Sequence, residues 1–250
     1  MVQKDLILKT LDNAIVKCSQ RLTLPKKVYS PMLSFAQETI NRKTEKGLLI
    51  TDTGEIVHSK NGSKKQVDIF KGINLRDLYE EYGSLHIEHN HPSIIKEFPY
   101  SECLSTEDMN CLTTTVKIPD GRGNAEEVYP IKSITAEGTN GTRMTLVRGD
   151  NFNTDDEIPF NKAVGNYYKY WNNWIENYSD TYNKNYRKIV DEYTVKYGNK
   201  ETLNNLDKLE KQAQNATISA IGRVEETTEF KNIQKQFREA NCKLIPSKWK

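Results

Sequence analysis

Between residues 162 and 197, large apolar side chains recur at every third or fourth position: Tyr167, Trp171, Trp174, Tyr178, Tyr182, Tyr186, Ile189, Tyr193 and Tyr197. Residues three and four apart share a helix face, so this spacing predicts one long helix with a continuous aromatic stripe. A stripe this apolar must be covered, either by the rest of the chain or by a partner. Stacking of bases or sugars on the same rings is the alternative use. The mixed charge between the aromatics favours packing. Gly198-Asn199 supplies a stop. Residues 201–240 carry a second, more polar helical pattern, with Leu203, Leu206, Leu209, Ala213, Ala216, Ala220 and Val224 on one side. Residues 162–250 therefore read as a helical appendage, built as a helical hairpin.

The remaining core is predicted to be modest. Hydrophobic residues make up 36% of the 250 and charged residues 28%, with a mean hydropathy of −0.75. Basic and acidic residues nearly cancel, 36 against 34. Charge thus gives no reason to expect nucleic acid or a membrane as partner. Cys18, Cys103, Cys111 and Cys242 are far apart and form no CxxC pair. That excludes a disulfide framework and a thiolate zinc site, and suits reduced thiols in a cytoplasmic setting. No apolar run approaches the ~20 residues of a membrane span, and the first residues do not read as a signal peptide.

Residues 4–20 carry apolar side chains at helical spacing, so residues 1–29 are expected to form an N-terminal helical segment. Ser30-Pro31 predicts a helix start, running over 30–43. From Gly47 the pattern is strand, turn, strand, reversing at Thr53-Gly54. Residues 66–70 read as a further strand. Residues 74–82 read as a short helix capped by Asn74, and residues 85–89 as a strand. Ser105-x-x-Asp108 has the form of a capping box. Residues 130–136 and 142–148 flank Asn140-Gly141, a hairpin signal. This order predicts an α/β domain over 30–150, followed by a polar linker over 151–161.

The informative stretch is Leu85 to Pro92, LHIEHNHP. Side chains alternate along a strand, so His89 and His91 point the same way and can share one metal ion. Pro92 ends the strand. A zinc site needs a third ligand and, for catalysis, an open position for water. Asp108 is the best candidate, in the first turn of the helix that Ser105 opens. A bare helix cap is the competing use of the same pair. His86 and Glu88 fall on the opposite strand face, as structural or solvent-facing residues. His-Asn-His also suggests a metal-dependent nuclease, but that chemistry needs dispersed residues and a basic groove that the sequence does not supply.

Taken together, Glu45-Lys46-Gly47-Leu48-Leu49-Ile50, His89-Asn90-His91-Pro92 and Ser105-Thr106-Glu107-Asp108 resemble the motif of JAMM (JAB/MPN-type) metalloproteases. HNHP variants resemble JAB-like domains of bacteria and of phage virion or head-associated proteins. The resemblance spans about 30–150. It implies a JAB/MPN-like, cytidine-deaminase-like mixed sheet flanked by helices. It also implies zinc (Zn2+) held by His89, His91 and Asp108, Glu45 as general base and Ser105 as oxyanion donor. The implied targets are peptide or isopeptide bonds of a protein or peptide substrate. Thirteen residues separate His91 from Ser105, which leaves Glu102 and Glu107 as rival ligands. A single residue separates Glu45 from Gly47, which leaves Glu38 and Glu55 as rival bases. The alternative is a JAMM-like structural or interaction protein, virion-associated if phage-encoded, docked through helix 162–197.

Overall fold

The computed structural model describes residues 24–92, 103–138 and 141–248. The expected helix over 4–20, Cys18, Glu102 and Asn140 lie outside the described residues. The architecture is mixed α/β: a six-stranded mixed sheet flanked by helices, with a long helical region toward the C-terminus.

Helix α1 (Lys26–Thr39) begins at Lys26, after Pro25. It starts four residues before the expected Ser30 cap and ends before residue 43. Pro31 lies inside it, where the missing N–H leaves the Lys27 carbonyl without its helical donor. That carbonyl faces the reversal between β1 (Lys46–Thr51) and β2 (Ile56–Asn61). A Cβ on Gly54 would lie 2.3 Å from it, and Gly54 sits at φ +85°. Glycine is needed there on both counts. The Thr53-Gly54 reversal is as expected. Residues 66–70 are not a strand but irregular backbone that enters a turn at Ile69, and Ile69 folds over Gly47.

Helix α2 (Leu75–Tyr82) is capped by Asn74, whose Oδ1 accepts the Arg76 amide at 3.1 Å. Strand β3 (Leu85–Asn90) follows. Helix α3 (Thr106–Asn110) and a 3-10 turn (Cys111–Thr113) lead to a small hairpin, β4 (Val116–Pro119) and β5 (Ala125–Val128). The sheet then continues with β6 (Ile131–Glu137) and β7 (Thr142–Arg148), the expected hairpin.

The segment read as a linker over 151–161 is mostly helical. Helix α4 (Thr154–Tyr197) opens with a capping box between Asn153 and Asp156, and its 44 residues span about 66 Å. Its aromatic stripe is covered by the chain itself: Tyr167, Tyr170, Trp171, Trp174, Tyr178 and Tyr182 are buried. The rings of Trp174, Tyr178, Tyr182 and Tyr186 stack in sequence, with centroids 5.3, 6.1 and 5.8 Å apart. After α5 (Asn199–Asn204), helix α6 (Leu206–Ile221) packs back on α4 through Leu209, Ala213 and Thr217. Leu203 and Ala220, expected on that face, are exposed.

A further 3-10 turn (Val224–Glu226) and α7 (Thr228–Glu239) bring the chain back to the sheet. There β8 (Cys242–Lys248) pairs antiparallel with β7. The C-terminal region is therefore not purely helical, because its last strand completes the sheet. Cys242 and Leu244 alternate into the core. Pro246 is tolerated because β8 is an edge strand. Strand order is β2-β1-β3-β6-β7-β8, with only β3 and β6 parallel.

One sheet face carries Leu49, Ile87, Ile134, Leu146 and Leu244 under α4 and α7. The other packs Leu48, Ile50 and Val147 against Val28, Tyr29, Met32 and Phe35 of α1. No helix among the described residues is long and apolar enough to cross a membrane.

Candidate metal centre

Strand β3 sits between β1 and β6, with His89 opposite Gly47 on one side and Ala136 on the other. Past the strand end, the His91 amide still bonds the Glu137 carbonyl at 2.9 Å. This holds both histidines to the alternation of the sheet. Their Nε2 atoms lie 2.9 Å apart. His89 is buried, and His91 is 21% exposed at its side chain.

Asp108 joins them from α3. Ser105 Oγ accepts the Asp108 amide at 3.0 Å, and Asp108 Oδ2 accepts the Ser105 amide at 2.8 Å. Cap and ligand are therefore not competing uses. The box fixes the carboxylate through Oδ2 and turns Oδ1 to within 3.3 Å of His89 Nε2. Oδ2 lies 3.7 Å from His91 Nε2. One ligand atom from each of the three residues lies within 4.8 Å of the other two. Ligands about 2.0–2.1 Å from a tetrahedral zinc would stand about 3.3–3.4 Å apart. Two imidazole nitrogens and one carboxylate oxygen suit zinc. Among the described residues this is the single group of three His, Cys, Asp or Glu side chains gathered closely enough to hold an ion.

The charges are mutually adjusted. Burial pushes the Asp108 carboxyl up, but His89, His91 and the Ser105 amide together hold it well below the usual carboxylate range. Burial pulls His89 down, but Asp108 and then Glu45 outweigh it and raise its pKa. Cys111, beside the cluster, is pushed up to about 12 by burial and then by Asp108. It is a neutral thiol, outside the ligand set.

Glu45, Gly47 and Leu49 alternate onto the His89 face of the sheet. Glu45 is buried, and its pKa is raised chiefly by that burial. His89 opposes the shift, Asp108 adds to it, and the Val67 amide bonds the carboxylate. Its backbone is clamped on both sides. The Glu45 amide donates to Ser63 O at 2.8 Å, and its carbonyl accepts from Gly62 at 2.9 Å. Asn90 Oδ1 accepts the Lys46 amide at 2.7 Å, and Asn90 Nδ2 donates to Thr44 O at 3.3 Å.

Sequence reasoning missed Asn90. The signal was its parity: between two histidines on one face, it must point to the other, beside β1. The rivals are elsewhere. Glu38 is half-exposed and paired with Lys46 at 2.7 Å. Glu55 is exposed at the far end of the β1–β2 hairpin, and Glu107 is exposed and bonded by Thr106.

On the opposite face, His86 and Glu88 are fully buried rather than solvent-facing. His86 lies 2.8 Å from Ser133 Oγ and 2.7 Å from Asp52 Oδ1. Burial, then the Glu137 carboxylate, raises Glu88 well above the usual range, while Arg143 opposes it.

Compared with protein-family models, with curated proteins and with solved structures, the chain matches none.

Proposed function

We propose that this chain is a zinc-dependent hydrolase of peptide or isopeptide bonds, of the JAMM type. The observation that carries this reading is the convergence of His89, His91 and Asp108, with one ligand atom from each within 4.8 Å of the others, and of buried Glu45, whose proton affinity His89 and Asp108 both influence. A zinc ion held there would acidify a bound water and polarise the scissile carbonyl.

The chain's own groups do the rest. Glu45, its affinity for a proton raised by burial, takes the proton from the attacking water and passes it to the leaving amine. Ser105 Oγ uses a lone pair for the Asp108 amide. Its O–H can then donate to the developing oxyanion, where one such donor contributes about 10²–10³ in rate. The histidines and Asp108 hold the ion and the geometry.

Glu45→Gln tests the assignment. It is expected to keep metal and lose hydrolysis of a peptide or isopeptide panel that the wild type cleaves. Undiminished turnover in Glu45→Gln would remove Glu45 as the base.

The second reading is an interaction protein whose metal is structural. In its favour, Val195 is 90%, Leu203 68% and Tyr197 50% exposed where α4 meets α5. An apolar tip of that kind suits docking into an assembly. Light scattering of Val195→Ser/Leu203→Ser against wild type tests it, with loss of self-association or complex formation expected.

A further inference from the structure

At the end of the sheet opposite the His89–His91–Asp108 cluster lies a cavity of about 370 Å³. The start of β6, the end of β7, the start of β8 and the end of α7 form it. Its charged lining is Lys132, Arg148, Arg238 and Lys243 against one carboxylate, Asp150.

Arg148 and Cys242 are direct cross-strand partners, and Lys132 precedes Ser133, which pairs with Val147. Arg148 is 7% exposed, so its charge is largely out of water. Its Nε donates to Ile131 O at 3.1 Å and its Nη2 to Tyr129 O at 2.7 Å, both neutral acceptors. The rings of Tyr129 and Phe152 stand 5.3 and 5.8 Å from its guanidinium carbon. Burial lowers its pKa, and Cys242, Tyr79, Tyr129 and Asp150 oppose the shift without cancelling it.

Among the described residues no carboxylate lies within ion-pairing distance of Arg148, Arg238 or Lys243. Asp150 is bonded to Lys132 and exposed. The neighbouring acids are also engaged: Asp156 accepts from the Asn153 amide and Asn241 Nδ2, and Glu239 pairs with Lys235. A desolvated guanidinium without an ionic partner is costly unless an anion completes it.

We propose that this cavity is an anion site for a phosphate group, free or carried on a small molecule. Its volume is at the low end for small-molecule pockets, which suits a compact phosphomonoester. Arg148, preorganised by its two carbonyl bonds and two rings, supplies the fixed cation at the base. Arg238 and Lys243, both exposed, close over the anion from the rim.

Calorimetric titration of the full chain with inorganic phosphate, at constant ionic strength, tests the site. Saturable binding on the order of 1 mM or tighter is expected. Arg238→Ser/Lys243→Ser should weaken it at least about tenfold without lowering the melting temperature in phosphate-free buffer. Should that double variant fail to fold, Lys243→Ser alone is read in the same way. His91→Ala should bind phosphate as the wild type does. Glycerol phosphate binding more tightly than inorganic phosphate would assign a phosphomonoester, and the reverse order the free ion. No saturable heat, equal affinity in the rim variants, or loss of binding in His91→Ala would overturn the proposal.

Discussion

Asn90 holds Glu45 in place without touching its side chain. Its Oδ1 takes the Lys46 amide at 2.7 Å and its Nδ2 reaches the Thr44 carbonyl at 3.3 Å, so one carboxamide spans the peptide groups on both sides of Glu45. Asn90 also separates His89 from His91. One side chain thus ties the segment that carries Glu45 to the strand that carries His89.

Asn90→Ala should therefore separate two properties. Zinc content should stay at wild-type level, because the ligands remain. Hydrolysis should fall by about 10²-fold, the cost of an ångström-scale misplacement. Hydrogen exchange at the Lys46 amide gives an activity-independent check and should accelerate. Wild-type exchange and turnover in Asn90→Ala would contradict the clamp.

Ser105→Ala removes the acceptor that fixes the first turn of α3. Loss of such a cap costs about 1 kcal/mol, readable by urea denaturation. Because the same box orients Asp108, zinc affinity should also drop about 10–100-fold in chelator competition. Ser105→Asp, which keeps a cap acceptor, should recover most of the stability. An unchanged affinity in Ser105→Ala would mean that Asp108 holds its position without the box.

The aromatic stripe of α4 should divide sharply in energy. Trp174 and Tyr178 are buried, while Tyr197 is half-exposed. Trp174→Ala should cost about 3–5 kcal/mol, and Tyr197→Ala no more than about 0.5 kcal/mol. Equal, small losses would mean that the stripe does not pack on the body of the fold.

Burial pushes the Cys242 thiol up to about 12. The folded state then prefers the protonated thiol, while the unfolded chain ionises near about 8.5. Stability from this group is complete below about pH 8.5 and is lost as pH rises toward about 12, at about 1.4 kcal/mol per pH unit. Between these limits, the stability of Cys242→Ala should fall less steeply with pH than that of the wild type. Parallel slopes would contradict the assignment.

Much of the site was legible because its signals are local. The period of two in His89-Asn90-His91 sets both imidazoles on one face, and Ser105-x-x-Asp108 announces a capped first turn. The helical spacing of the aromatics announced α4. What escaped reading depends on distant partners. The stretch before α4 is polar, yet Asn153-x-x-Asp156 caps a helix there. Strand β8 carries Pro246 in its interior, and an edge position next to β7 lets it be a strand. His86 and Glu88 read as structural or solvent-facing, and Ser133, Asp52, Glu137 and Arg143, which lie far away in the sequence, decide for burial. The start of α1 was misplaced because Pro31 reads as a first-turn proline, whereas the structure carries the helix through it.

Metal content tests the central claim most directly. Elemental mass spectrometry of the untagged full chain, after zinc reconstitution and desalting, should find one zinc per wild-type chain. His91→Ala and Asp108→Asn should each lose it, while Glu45→Gln and Asn90→Ala keep it. A wild type without zinc, or ligand variants that retain it, would contradict the assignment of His89, His91 and Asp108 as a metal centre.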